Sequence, residues 1–116
     1  MKYLCLIYGL EAAWAAQSET DRNRIYGEYM AFTEDIQKSG HLLGGEELQP
    51  TQAATTVRVR NGKVSATDGP FAETKEQLGG YYLIEAADLN EAIQVASRIP
   101  GARDGSIEVR PIQEME

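Results

Sequence analysis

From Lys2 to Tyr8 nearly every position is apolar. Only a strand covered on both faces tolerates that pattern, so a central strand is predicted there. Glu11 to Gln17 reads as a loop or a short helical turn. Ser18, with Asp21 three residues on, has the look of a helix cap. Ile25, Tyr29, Phe32 and Ile36 then recur at helical spacing and define one face. Gly40 is the expected stop. His41 to Gln52 reads as irregular, broken by Gly44-Gly45 and Pro50.

Thr55 to Arg60 and Lys63 to Asp68 alternate around Asn61-Gly62. This dipeptide between alternating runs predicts a two-residue hairpin, type I′. The register follows: Val59 opposite Val64, Val57 opposite Ala66, Thr55 near Asp68. Asp68-Gly69-Pro70 is a turn, and Ala72 to Leu78 a polar loop or brief helix. Gly79-Gly80, read as a flexible point, leads into Tyr81 to Ile84, a second strand apolar on both faces. Asp88 with Glu91 predicts a capping box for a second helix. Its expected core face is Leu89, Ala92, Ile93, Ala96 and Ile99, and Pro100-Gly101 ends it. Ser106 to Ile112 is the last strand, with Ile107 and Val109 inward.

The order strand, helix, hairpin, strand, helix, strand suits an α+β fold. We expect a ferredoxin-like antiparallel sheet with two helices on one face and the strands at Lys2 and Tyr81 in its centre. Two helices cover one face only, yet both central strands are apolar on both. A second copy of the chain is the simplest cover, which predicts a homodimer, with a tail or loop folded over that face as the alternative.

Composition narrows the partners. The 116 residues fit one domain, 1–116, with 42% hydrophobic and 25% charged residues. A chain of this size folds without a disulfide or metal. The net charge of -7 argues against nucleic acid and anionic membranes as partners. Cys5 is the one cysteine and lies in an apolar stretch, which suits a buried structural thiol. One Cys and one His do not make up a zinc site, so no metal is expected. The apolar start is too short to span a membrane, and it lacks a small-residue cleavage site. A cytoplasmic protein is expected.

Asp68 is the first candidate for chemistry. It shares the hairpin face of Val57, Val59, Val64 and Ala66, where burial or a cation would shift its pKa and make it a base. Its plainer role is a turn former before Gly-Pro. His41, the one histidine, follows the first helix, whose dipole favours imidazolium. Together they could relay a proton, although the plainer histidine is an exposed cap. Glu73 and Lys75 could bring an acid and a cation over a cleft, with Pro70 and Tyr81 as further contacts. A solvated loop and a packed ring are the ordinary alternatives. No phosphate loop, dinucleotide fingerprint or nucleophile elbow occurs, so no cofactor is expected.

The run Asp68-Gly69-Pro70-Phe71-Ala72-Glu73-Thr74-Lys75-Glu76-Gln77-Leu78-Gly79-Gly80-Tyr81-Tyr82 resembles the signature of the DGPF branch of the YCII-related proteins. Glu46-Glu47-Leu48-Gln49-Pro50 and Glu108-Val109-Arg110-Pro111 resemble it too. The resemblance implies a ferredoxin-like domain pairing into a dimeric α/β barrel. It also implies small enzymes with a histidine–aspartate pair, one branch being a dehydrochlorinase. The family's histidine lies near the first helix, whereas Glu11 to Arg24 has none here. His41 therefore stands as a substitute, and Asp68 as the matched position.

Two functions follow. One is a cofactor-independent lyase or isomerase on a small organic molecule, with Asp68 as general base and His41 or Lys75 assisting. The other is a non-catalytic module that senses a small molecule or binds a protein. A cofactor-free monooxygenase rests on fold analogy alone.

Overall fold

The two apolar strands lie side by side at the centre of one antiparallel sheet, as their two-faced pattern demands. The computed structural model describes residues 1–115. Its elements are β1 (Lys2–Gly9), α1 (Glu11–Ala15), α2 (Glu19–Lys38), β2 (Leu42–Glu47), β3 (Thr55–Arg60), β4 (Lys63–Asp68), β5 (Gln77–Glu85), α3 (Leu89–Ser97) and β6 (Ser106–Pro111). Short 3-10 turns occupy Thr51–Ala53 and Pro100–Ala102. The sheet order is β2-β5-β1-β6, and every pair is antiparallel. This is an α+β arrangement compatible with a ferredoxin-like fold.

Side chains alternate across the sheet. Tyr3, Cys5 and Ile84 face the helices and are buried with Phe32 and Ile36 of α2 and Val95 and Ala96 of α3. Ile107 and Val109 pack against the same core, as their parity predicts. The other face of β1 and β5 carries Leu4, Leu6, Tyr81 and Leu83, all partly exposed in the protomer. Among the described residues, no helix is long and apolar enough to cross a membrane.

Both helix starts are capped as expected. The Asp21 N–H donates to Ser18 Oγ at 3.1 Å, and the Glu91 N–H to Asp88 Oδ1 at 2.9 Å. The reciprocal half of the second box is not made, because the Glu91 carboxylate turns to His41. The core face of α3 also differs from the expected one. Ala92, Val95, Ala96 and Ile99 are buried, while Leu89 and Ile93 are about half exposed, at 48% and 49%. Val95 takes the core position that the expected face gave to Ile93.

The segment expected to be irregular after His41 is instead the edge strand β2. Gly45 of this strand, and Gly80 of β5 beside it, are sites of close approach and not flexible breakers. A Cβ on Gly45 would lie 2.8 Å from the Tyr81 carbonyl oxygen, and one on Gly80 would lie 2.9 Å from that of Glu46. Glycine in a strand commonly marks such contact.

The hairpin forms in the expected register, Val59 opposite Val64 and Thr55 opposite Asp68. Asn61 and Gly62 have φ of 51° and 76°, the positive values a type I′ turn requires. It does not join the main sheet, however. β3 and β4 form a two-stranded sheet of their own, and β2 takes the edge beside β5.

Candidate functional site

Between α2 and the β2–β5 half of the sheet lies a cleft of about 1000 Å³. Ile25, Tyr29 and Thr33 reach it from successive turns of α2, Trp14 from α1, and Tyr82 from β5. Residues four apart on a helix share a face, so the amphipathic pattern that buries Phe32 and Ile36 also aims these side chains inward. Aromatic and aliphatic side chains share the lining with glycine backbone and with polar residues, among them Glu11, Gln17, Glu46, Glu47 and Arg103. Several of its polar atoms are held by hydrogen bonds.

Tyr29 is the most informative of them. Its phenolic oxygen accepts the Gly101 backbone N–H at 3.1 Å. Its own proton has no acceptor among the described residues. Burial pushes this phenol above its ordinary range. The Gly101 hydrogen bond pulls the other way, and the Tyr82 ring and the Glu47 carboxylate add smaller upward pushes. The group therefore stays a neutral donor at physiological pH. A Cβ at position 101 would lie 2.7 Å from the Tyr29 oxygen, so the hydrogen bond depends on glycine there.

Thr33 and Tyr82 form a second fixed pair at 2.7 Å. Thr33 Oγ1 donates its one proton to the Tyr29 carbonyl at 2.8 Å, so the Tyr82 hydroxyl donates to Thr33. The Tyr82 oxygen keeps accepting capacity. Burial raises its pKa also. Its ring packs edge-on against Phe32, with centroids 5.2 Å apart.

The mouth of the cleft is braced. The Tyr26 hydroxyl donates to Glu47 Oε2 at 2.9 Å, and its ring meets Trp14 edge-on. Burial, then the Glu47 carboxylate, raises the Tyr26 phenol. The Glu11 carboxylate accepts both the Thr51 N–H at 2.7 Å and the Thr51 hydroxyl at 2.9 Å, tying the segment after β2 to α1. Arg103 pairs with Glu28.

The residues singled out from sequence lie elsewhere. His41 Nε2 is 2.8 Å from Glu91 Oε1, and Nδ1 is 2.7 Å from Ser39 Oγ, so both ring nitrogens are engaged outside the cleft. Asp68 ends β4 opposite Thr55 and is exposed, and its side chain hydrogen-bonds no described residue. The face it shares is open: Val57, Val59 and Val64 are 62%, 56% and 73% exposed. The structure does not bring His41 and Asp68 together within the protomer. Pro70, Glu73 and Lys75 lie on the exposed loop between β4 and β5. Tyr81 borders the cleft, but by strand parity its ring is on the sheet face opposite Tyr82. Cys5 is fully buried, and burial pushes its thiol up to about 11, as a structural cysteine requires.

Sequence reasoning missed Tyr29, Thr33 and Tyr82 as a group. One signal was present: tyrosine rather than phenylalanine at positions 29 and 82, since a buried phenol usually has a partner for its hydroxyl.

Comparison with known proteins bears on the whole chain. The YCII-related domain matches residues 1–116. An uncharacterised protein of Rhizobium meliloti (strain 1021) is 40% identical over 114 residues, covering 97% of this chain and 92% of that protein. With a family match from end to end and a relative of that identity, the chain belongs to the YCII-related domain family.

Proposed function

We propose that the protein binds a small, largely apolar organic molecule bearing a carbonyl or similar oxygen, in the cleft between α2 and the sheet. The observation that carries this is the Tyr29 hydroxyl, oriented by Gly101 with its proton free inside an aromatic cleft. A desolvated donor of this kind polarises an oxygen acceptor. Within one chain, Tyr29 serves as the acid and Glu47, held by Tyr26 at the mouth, as the base. That pairing fits a cofactor-independent lyase or isomerase that moves a proton on carbon next to the polarised oxygen.

The protein works as a homodimer in this reading. Support comes from the apolar outer face of β1 and β5, which a second copy would cover. The run Asp68-Gly69-Pro70-Phe71 supports a place in the DGPF branch of the family.

A second reading is binding without turnover. It is favoured by the separation of His41 and Asp68, which leaves the cleft without a histidine. One experiment addresses both. Small phenols, aryl ketones and enols are screened by thermal shift against the wild type and Tyr29→Phe. Stabilisation of the wild type that is smaller in the variant supports the cleft. No response from any member, or equal response in both proteins, overturns it. Product formation from a ligand so found separates turnover from sensing.

A further inference from the structure

The β3–β4 hairpin has a stripe of core-type side chains and no core. Val57, Val59 and Val64 are 62%, 56% and 73% exposed, Ala66 shares their face, and Phe71 at the root of the hairpin is 80% exposed. The two strands pair only with each other. An isolated two-stranded hairpin is marginally stable in water and needs packing on one face. We infer that this hairpin is an arm that clasps a second copy of the chain through its valine face.

Two quantities point to a second copy. The protomer exposes 8281 Å², whereas a compact monomer of this mass exposes roughly 6300 Å². The excess, roughly 2000 Å², exceeds the about 800 Å² per partner of an ordinary stable interface and suits an obligate dimer. The radius of gyration agrees, at 16.2 Å against roughly 13 Å for a compact chain of this length.

Charge supplies the other argument. The chain carries a net charge of -7, yet the arm holds Arg58, Arg60 and Lys63 against one acid, Asp68. The body left over is more acidic than the whole. A basic arm laid on the acidic body of another copy is attracted to it, and an acidic body repels nucleic acid, the other occupant a basic arm would suggest.

The clasp also bears on the cleft. The arm leaves the body just after Leu48, Gln49 and Pro50 and returns at Gln77, and all four line the cleft. Fixing the arm on a partner fixes both sides of that rim. The inference rests on the homodimer reading above and is independent of what the cleft binds.

Sedimentation equilibrium tests it on the full chain, with the wild type, the double variant Val59→Asp/Val64→Asp, and Ser65→Asp on the opposite face of the arm. The expected result is a dimeric wild type and Ser65→Asp. The valine variant should be a monomer with unchanged far-UV dichroism, its dissociation constant weakened at least about a hundredfold. A double variant that dimerises as tightly as the wild type overturns the clasp and leaves the sheet-face dimer standing. A monomeric wild type overturns both. Should the aspartates prevent folding, Val59→Thr/Val64→Thr keeps the β-branched shape. It is expected to weaken the dimer by about tenfold, and an unchanged constant overturns the clasp.

Discussion

The Tyr82 hydroxyl donates to Thr33 Oγ1 across 2.7 Å, joining the middle of β5 to the middle of α2. The direction is fixed because the threonine proton is already given to the Tyr29 carbonyl. The bond ties one wall of the cleft to the other, with the Tyr82 ring seated on Phe32. Tyr82→Phe keeps the ring and removes the bond. It should lower unfolding free energy by about 1 kcal/mol, read from urea midpoints, with an unchanged denaturant slope. A larger loss would mean that the ring had moved.

Tyr29→Phe removes the free donor and leaves the aromatic wall. Affinity for an oxygen-bearing ligand should fall by roughly 3- to 10-fold, the worth of one hydrogen bond, measured by calorimetry. Fold stability should fall by about 1 kcal/mol, because the Gly101 N–H loses its acceptor. Because burial raises this phenol, binding that needs its proton should persist through the pH range where an exposed tyrosine ionises and fade above it. An ultraviolet titration of wild type against Tyr29→Phe follows the ionisation directly.

Alkaline stability should depend on Cys5. Its thiol is raised from 9.0 to about 11 by burial. The folded state therefore holds a proton that the unfolded chain gives up first, so stability is intact below pH 9 and declines as pH rises towards 11. The decline from this group should be on the order of 2 kcal/mol. Cys5→Ala should begin lower, because of the cavity, but lose less between pH 8 and pH 11. A thiol reagent should leave the native protein unlabelled and label it once unfolded.

His41 reports on Glu91, not on Asp68. The ring joins the segment after α2 to the start of α3. In NMR spectra its imidazole signals should shift in Glu91→Gln and hold still in Asp68→Asn. Movement in Asp68→Asn alone would show that a second copy brings the aspartate to this histidine.

Gly45→Ala should be harmful, although the position is exposed. The new methyl group would meet the Tyr81 carbonyl at 2.8 Å and the Tyr82 ring at 2.9 Å. Backbone cannot yield as a side chain can, so a loss of about 1–3 kcal/mol is expected. Gly44→Ala, with open space around its Cβ, is the mild control.

Much of the fold was legible in residues whose meaning is local. Asn61-Gly62 specified a turn and with it a register, and Ser18 and Asp88 marked two helix starts through contacts three residues away. The edge strand at Leu42–Glu47 was not legible, because a glycine that admits a neighbouring strand is spelled like a glycine that ends one. The cleft was less legible still. Tyr29 gains its role from a backbone amide 72 positions away, and no local pattern carries that information. Asp68 was legible only in part for the same reason: hairpin parity gave its face, but whether that face is buried depends on what lies against it.

Gly101 shows how a functional residue can be encoded by something missing. The amide that aims the Tyr29 phenol can approach because no side chain stands at 101. The two positions therefore form one unit of meaning. A tyrosine at 29 is informative about ligand recognition only where 101 is bare, while Ile7 Cγ2, 3.1 Å from where a Cβ at 101 would stand, gives glycine a second reason to be there. A mutational survey that scored each position alone would assign the glycine to folding and the tyrosine to function, and would miss that they act as one.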